Sequence, residues 1–326
     1  MRRHALLSAA LLLCACAGDA PDADAGPDAR PGEGPDRAAP AGVFYTLEEA
    51  GAVGRLGGRE TAAGARMTYL DVSADGTRVI ASATGENAVY VIDVQSGVVT
   101  DTIPVGTSPK GVRFAPFGSL AFVANEGDGT LGVIALARSR MIQEVPVGAM
   151  PHNIAFDPTG QLMYVTLQGA DQFAIMDLEM LNVVDTVGVA GQPHNLAISP
   201  DGETLYITLL ERRELLALTL AGSVVRGRAP LPEPHYGIAL SPDGRRAYVT
   251  GMGGSVVRVI DTGSMSAVAD VEVGAGPHGV ATNAAGDEVY VAVRSSNEIV
   301  VIDAATNTVK RREPVGRAPF WLAVSR

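Results

Sequence analysis

PHNIAFDPTG, Pro151 to Gly160, returns downstream as PHNLAISPDG (Pro193 to Gly202) and PHGVATNAAG (Pro277 to Gly286). The glycine that closes the stretch sits at Gly76, Gly118, Gly160, Gly202, Gly244 and Gly286, a step of 42 residues each time. A fixed period of this length is the mark of stacked supersecondary units, each too small to bury its own apolar face. All copies therefore belong to one cooperative body, although 326 residues could hold two ordinary domains.

Within one unit the pattern divides into four short runs. NIAF (Asn153 to Phe156) precedes the turn Asp157-Pro158-Thr159-Gly160. LMYVT (Leu162 to Thr166), FAIMD (Phe173 to Asp177) and NVVDTVGV (Asn182 to Val189) follow, with polar loops between them. Runs of four to eight β-branched and aromatic residues bounded by Gly, Pro and Asp read as an antiparallel four-stranded sheet. Asp-Gly at Asp75, Asp201 and Asp243 supplies a corner that tolerates the left-handed region. Four-stranded units of about 40 residues are the pattern of propeller blades.

The sequence also resembles a known family, the YVTN-type β-propeller repeats. VYVAVRSSNEIVVIDAATNTVKRREPVG (Val289 to Gly316) lies closest to that pattern, and SPDGRRAYVTG with VRVIDTGSMSAVADVEVG in the preceding unit is close behind. The resemblance covers about Val43 to Arg326. It implies the fold and no particular activity.

Full copies begin at Met67, Pro109, Pro151, Pro193, Pro234 and Pro277, and the chain then stops after one more first strand, PFWLAVSR (Pro319 to Arg326). GVFYTLEE (Gly42 to Glu49) matches a second strand, with Tyr45 in the place of Tyr164, Tyr206, Tyr248 and Tyr290, and AGAVGRLGG (Ala50 to Gly58) a third. The two ends of residues 43–326 are thus expected to share one composite blade, making an all-β, seven-bladed β-propeller with no open sheet edge. That blade falls short in RETAAGA (Arg59 to Ala65), so its outermost strand is expected to be frayed or absent.

Residues 1–15 read as a lipoprotein signal peptide. Arg2 and Arg3 precede an apolar run too short to span a bilayer. Leu13-Cys14-Ala15-Cys16 resembles a bacterial lipobox, which implies a lipidated Cys16 at the start of the mature chain; a plain secretory signal is the alternative. Residues 16–42, rich in Ala, Asp, Pro and Gly, read as a disordered tether. Lipidation makes the membrane a partner through an anchor, not a span. Ala17 after the acceptor resembles an outer-membrane sorting signal, so the expected location is the cell envelope. Net charge is −11. An acidic body argues against nucleic acid as a partner, and self-closure makes a monomer the default.

The position after the repeat-opening proline reads Thr68, Lys110, His152, His194, His235, His278 and Phe320, one residue per blade at the channel mouth. Four of the five histidines fall in this ring. One reading is a transition-metal site, Cu or Zn, held by His152, His194 and His278. A second is a site for an anionic ligand assisted by Lys110. A third is simple duplication, each imidazole bonding a neighbouring loop carbonyl. One extra residue after Pro234 leaves His235 out of register, and Tyr236 takes its ring position unless a bulge absorbs the slip. Glu126 or Glu211 could stand beside a histidine as a base or be solvated rim charge. Phe320 and Trp321 with Tyr236 could wall a ligand, or Trp321 could close the core.

P-loop, GxSxG, CxxC, HExxH and CxxCH motifs are all absent. The expected function is a ligand-, metal- or partner-binding module at the mouth. A metal-assisted lyase or hydrolase using the histidine ring and a structural cell-surface protein are the alternatives. The anchor has a direct test: Cys16→Ser should move the protein from the membrane pellet to the soluble fraction, and continued pelleting would refute lipidation at Cys16.

Overall fold

The structure is a computed structural model that describes residues 42–117, 119–234 and 237–325. The leader, Cys16 and the tether lie outside the described residues, as do Gly118, His235 and Tyr236.

The described residues form seven four-stranded antiparallel sheets arranged in a ring. Six are built from consecutive strands, such as Met67–Val72, Arg78–Ala83, Ala88–Asp93 and Val98–Pro104. The seventh joins the C-terminal strand Pro319–Val324 to β1 (Val43–Leu47), β2 (Ala52–Arg55) and β3 (Glu60–Ala62), in that order from the axis outward. Innermost strands touch their neighbours all the way round, and Pro319–Val324 meets both Pro277–Thr282 and Met67–Val72. The ring is therefore closed, as the repeat count predicts.

Apolar faces decide the stacking. The middle strands are buried on both sides of the pleat, because each sheet packs between two others. One cluster joins Leu131 and Val133 of the second blade to Ile154, Met163 and Val165 of the third, and another joins Tyr290, Ile299 and Val301 to Tyr45 and Leu47 across the seam. Outer strands alternate exposed and half-buried residues, as half-solvated edges should.

Composite-blade closure is tight. Val43, Phe44 and Tyr45 pair with Val324, Ala323 and Leu322, and Gly42 and Ser325 bond each other through Gly42 N–H to Ser325 Oγ (2.7 Å) and Ser325 N–H to Gly42 O (2.9 Å). The outermost strand differs from expectation: β3 is shortened to three residues but present, pairing Ala52, Val53 and Gly54 with Ala62, Thr61 and Glu60. Contacts beyond its own ladder hold it. Thr61 Oγ1 donates to Gly97 O (2.7 Å), Tyr45 Oη to Glu60 Oε1 (3.1 Å) and Gly316 N–H to the same oxygen (2.7 Å).

Two features of the repeat set the axis. At the turn, Gly202 takes φ +72°, and a Cβ there would lie 3.0 Å from Pro158 of the preceding blade, so the periodic glycine serves both the corner and the blade contact. At the mouth end of six of the innermost strands a bulge interrupts the ladder. Pro151 faces Leu167 and Ile154 faces Val165, leaving His152 and Asn153 opposite Thr166 alone. The same slip occurs at Met67, Pro109, Pro193, Pro277 and Pro319. Proline has no N–H to donate, so a strand opening on it loses a ladder bond at that point, where a bulge is tolerated.

The third position of this stretch faces the next blade. A Cβ on Gly279 would sit 2.7 Å from Trp321 Cα and 2.9 Å from Phe320 O, both backbone. Gly279→Ala should therefore destabilise the propeller by about 1–3 kcal/mol through overpacking. Gly188→Ala, where a Cβ meets nothing within 4 Å, is the control and should be near neutral. Urea midpoints of the two variants check this, and equal midpoints would refute axial crowding.

Candidate functional site: the mouth of the channel

The bulges turn the second-position side chains toward the axis, where the three described histidines are 5%, 4% and 2% exposed (His152, His194, His278). Burial obliges each imidazole to find partners. His152 Nδ1 lies 2.9 Å from Glu126 Oε1, and Nε2 lies 2.7 Å from the Tyr69 hydroxyl. An ionised carboxylate only accepts, so Nδ1 carries the proton and Tyr69 donates to Nε2. Lys110 Nζ sits 3.5 Å from the other carboxylate oxygen. The result is a chain from a half-buried rim pair, Lys110 and Glu126 (20% and 16% exposed), down to the buried Tyr69 phenol.

His194 is held differently. Asn195 Nδ2 donates to its Nδ1 (2.9 Å), and Asn153 Nδ2 donates to Asn195 Oδ1. Its ring stacks on His152 with centroids 4.0 Å apart. His278 Nδ1 donates to Phe320 O (2.9 Å), and its ring stacks on Phe320 at 3.8 Å. That carbonyl bond is the one expected if Pro-His is a duplicated structural unit.

Burial dominates the electrostatics. It drives His278 down to about 3, only partly countered by the Phe320 carbonyl, with the charges of Arg294, His152 and Lys110 pushing the same way. Burial also lowers His152, against the opposing pull of Glu126. Burial pushes the Glu126 carboxyl up, but the bond from His152 and the charge of Lys110 outweigh it and hold the group below its ordinary value. The ring is thus neutral, with charge confined to the rim.

The metal reading needs His152, His194 and His278 to converge on one ion; His152 and His194 stack with centroids 4.0 Å apart, and His278 stacks on Phe320. Among the described residues no three His, Cys, Asp or Glu side chains form a metal-holding group. Each Nδ1 is engaged, the Nε2 of His152 accepts from Tyr69, and the His278 ring pairs with Phe320. Phe320 lies over His278, and Trp321 packs at 4.7 Å from Tyr69 within the core instead of forming a wall. Glu211 is exposed at the rim. Thr68 is buried, bonding Ser82 and Thr84. His235 and Tyr236 lie outside the described residues.

Sequence reading missed the residues that organise this ring. Tyr69, third in its strand, stands where other blades have Gly111, Asn153, Asn195, Gly237 and Gly279, all in the 42-residue register, and it is the partner of His152. Also missed is a belt of hydroxyls opposite the bulges. Thr166 Oγ1 accepts Asn153 N–H (3.0 Å) and donates to His194 O (2.7 Å); Thr46 accepts Trp321 N–H (3.0 Å) and donates to Thr68 O (2.5 Å). Thr250 donates to His278 O. The recurrence of Thr166, Thr208 and Thr250 at 42-residue steps was the available signal.

The mouth face also carries an open cleft of ≈770 Å³ beside the composite blade, lined by Glu48, Glu49, Arg66, Glu86, Arg294 and Arg317 over small residues.

No family model and no curated protein sequence matches the chain. Among solved structures it is similar to hydrazine synthase from Kuenenia stuttgartiensis (TM-score 0.73, 20% identity, 78% of this chain and 88% of that one). It is also similar to a functionally unknown protein from Desulfotomaculum acetoxidans (0.76, 15%, 87% and 99%) and to a 6-phosphogluconolactonase-like protein from Bacteroides uniformis (0.76, 19%, 87% and 99%). At these identities the likeness shows the fold. The chain is a seven-bladed β-propeller.

A buried histidine with a depressed pKa makes stability pH-dependent. When pH falls below about 6.5 the unfolded chain takes up a proton at residue 278 that the folded chain refuses, so stability present at neutral pH is lost on acidification, down to about pH 3. The slope from this one group approaches about 1.4 kcal/mol per pH unit. Between pH 7 and pH 5 the denaturation midpoint of His278→Phe should fall less than that of the wild type; parallel curves would refute a neutral, buried His278.

Proposed function

We propose that this chain is an exported, lipid-anchored β-propeller that acts as a binding module and takes a small ligand on the mouth face. The carrying observation is the division of the mouth into a sealed axis and an open rim. The axial rings are buried, neutral and each held by a protein partner, whereas the ≈770 Å³ cleft and the Lys110–Glu126 pair reach solvent. A concavity of that size beside fixed polar groups is the form of a small-molecule site. Gly42 and Ser325 lie at the blade end opposite the mouth.

Catalysis has less support. A Tyr–His–Glu chain resembles an acid–base relay, and a similar propeller is 6-phosphogluconolactonase-like by name. Here, however, the Tyr69 phenol and His152 are both buried and bonded to each other, so a substrate at the rim meets neither.

Thermal unfolding of the mature chain with amino acids, short peptides, sugars, nucleotides and divalent metals tests the reading. A ligand at 100 times its dissociation constant adds about 2.7 kcal/mol, or a Tm rise of about 5 °C or more for a domain of this size. It should also slow amide exchange in the mouth loops. A panel that leaves Tm unmoved would refute small-ligand binding, and chemical turnover of a hit would refute the non-catalytic reading.

A further inference from the structure

The cleft beside the composite blade has a charge pattern that narrows its ligand. Glu48 receives an ion pair from Arg294 and stands 3.5 Å from Arg66; Glu49 faces Arg317 at 2.9 Å and Arg294 at 3.7 Å. Glu86 accepts the Tyr90 hydroxyl on one oxygen (2.5 Å) and Ala65 N–H on the other (3.0 Å), and both bonds keep it ionised. Three guanidinium groups and three carboxylates thus line one concavity with no net charge.

Donors remain for a ligand. Arg66 and Arg317 are 64% and 78% exposed and each engages its carboxylate through one nitrogen, while a guanidinium carries five N–H groups in a planar fork. A simple anion would face three carboxylates, and a simple cation three guanidinium groups. A molecule with separated negative and positive ends meets an opposite charge at both. The floor is Ala50, Gly51, Ala63 and Gly64, which leaves room for a short backbone with small side chains.

Cleft and chain closure have the same origin. Its walls come from the loop after β1, the loop before Met67, the loop before Pro319 and Arg294 of the last complete blade. The composite blade is the one whose outer strand is cut to three residues. The gap is therefore particular to this seam.

We infer that the cleft between Arg66, Arg294 and Arg317 binds a zwitterion, a free amino acid or short peptide with unblocked termini, its carboxylate on Arg66 and Arg317 and its ammonium on Glu49 and Glu86. This rests on the reading of the mouth as a ligand face and adds the place and the chemistry. Calorimetric titration of the full mature chain with trialanine, N-acetyl-trialanine, trialanine amide and inorganic phosphate tests it.

Trialanine should bind, either block should weaken binding about tenfold, and Arg66→Ala or Arg317→Ala should do the same, since a charge-assisted bond contributes about that much. Both arginines are exposed, so these variants should keep the wild-type melting temperature. Failure of trialanine to bind, equal binding of the blocked peptides, tighter binding of phosphate, or indifference to both substitutions would overturn the inference. Exchange protection at residues 107–110 and 126–129 in place of 48–51 and 63–66 would overturn it too, while leaving the mouth as a ligand face. Loss of that broader reading would show only as a whole ligand panel with no hit on the mouth.

Discussion

Strand β1 bonds on both edges, to β2 beside it in sequence and to Pro319–Val324 at the far end of the chain, and the ring exists only while it does. Gly42 and Ser325 are 283 residues apart. Joining such distant points costs a loop-closure entropy of about 5 kcal/mol by logarithmic scaling. Local pairing cannot offset that. The seam is secured by a bulged antiparallel ladder, by apolar contacts from Tyr45 and Leu47 to the last blade, and by Glu60, which receives bonds from Tyr45 and from Gly316. Without it two sheet edges would stand open, each a template for association.

Closure forces seven innermost strands toward one axis, and the sequence there follows from crowding. Where the third position faces neighbouring backbone it is glycine, as at Gly111 and Gly279. Where it carries a side chain, that side chain pairs laterally: Asn153 with Asn195, and Tyr69 with Trp321. The bulge at the second position leaves a backbone N–H without a ladder partner, and a threonine hydroxyl on the next strand takes it. The same hydroxyl then donates across to the adjacent blade at Thr166 and Thr46. One hydroxyl thus satisfies a local defect and joins two sheets, which is why a small β-branched polar residue recurs in a strand otherwise apolar.

Architecture was legible because it repeats. The glycine period fixed the blade length, the tyrosines aligned β1 with its counterparts, and both ends fell into one sheet. The outer strand of that sheet was misjudged because a length deficit says nothing of lateral bonds, and Thr61 and Glu60 make them to other blades. The site was less legible for a different reason. Periodicity places side chains at the same height on the axis but not which neighbour each one meets. Nothing in the spacing sets His152 against Tyr69 from two blades away, or places Phe320 over His278. The cleft at the seam was hidden altogether, since it arises where the period is broken.

The three described histidines show how little a shared repeat position implies about a shared role. His152 donates from Nδ1 to a carboxylate and accepts at Nε2; His194 accepts at Nδ1 from an amide; His278 donates from Nδ1 to a carbonyl. Opposite proton placements on rings stacked at 4.0 Å suit mutual packing, since neutral imidazoles attract as aromatic faces where two cations would repel. A common metal would need the lone pair of every ring aimed at one point, and here the Tyr69 hydroxyl takes that of His152 and the Asn195 amide that of His194. The repeat places imidazoles at multiples of 42 residues, and each is fixed from a different quarter: His152 by two earlier blades, His194 by its own strand and His278 by the next blade. The copies differ at the rim pair of Lys110 and Glu126 and at the charged seam around Glu48, and that is where the proposed ligand face lies.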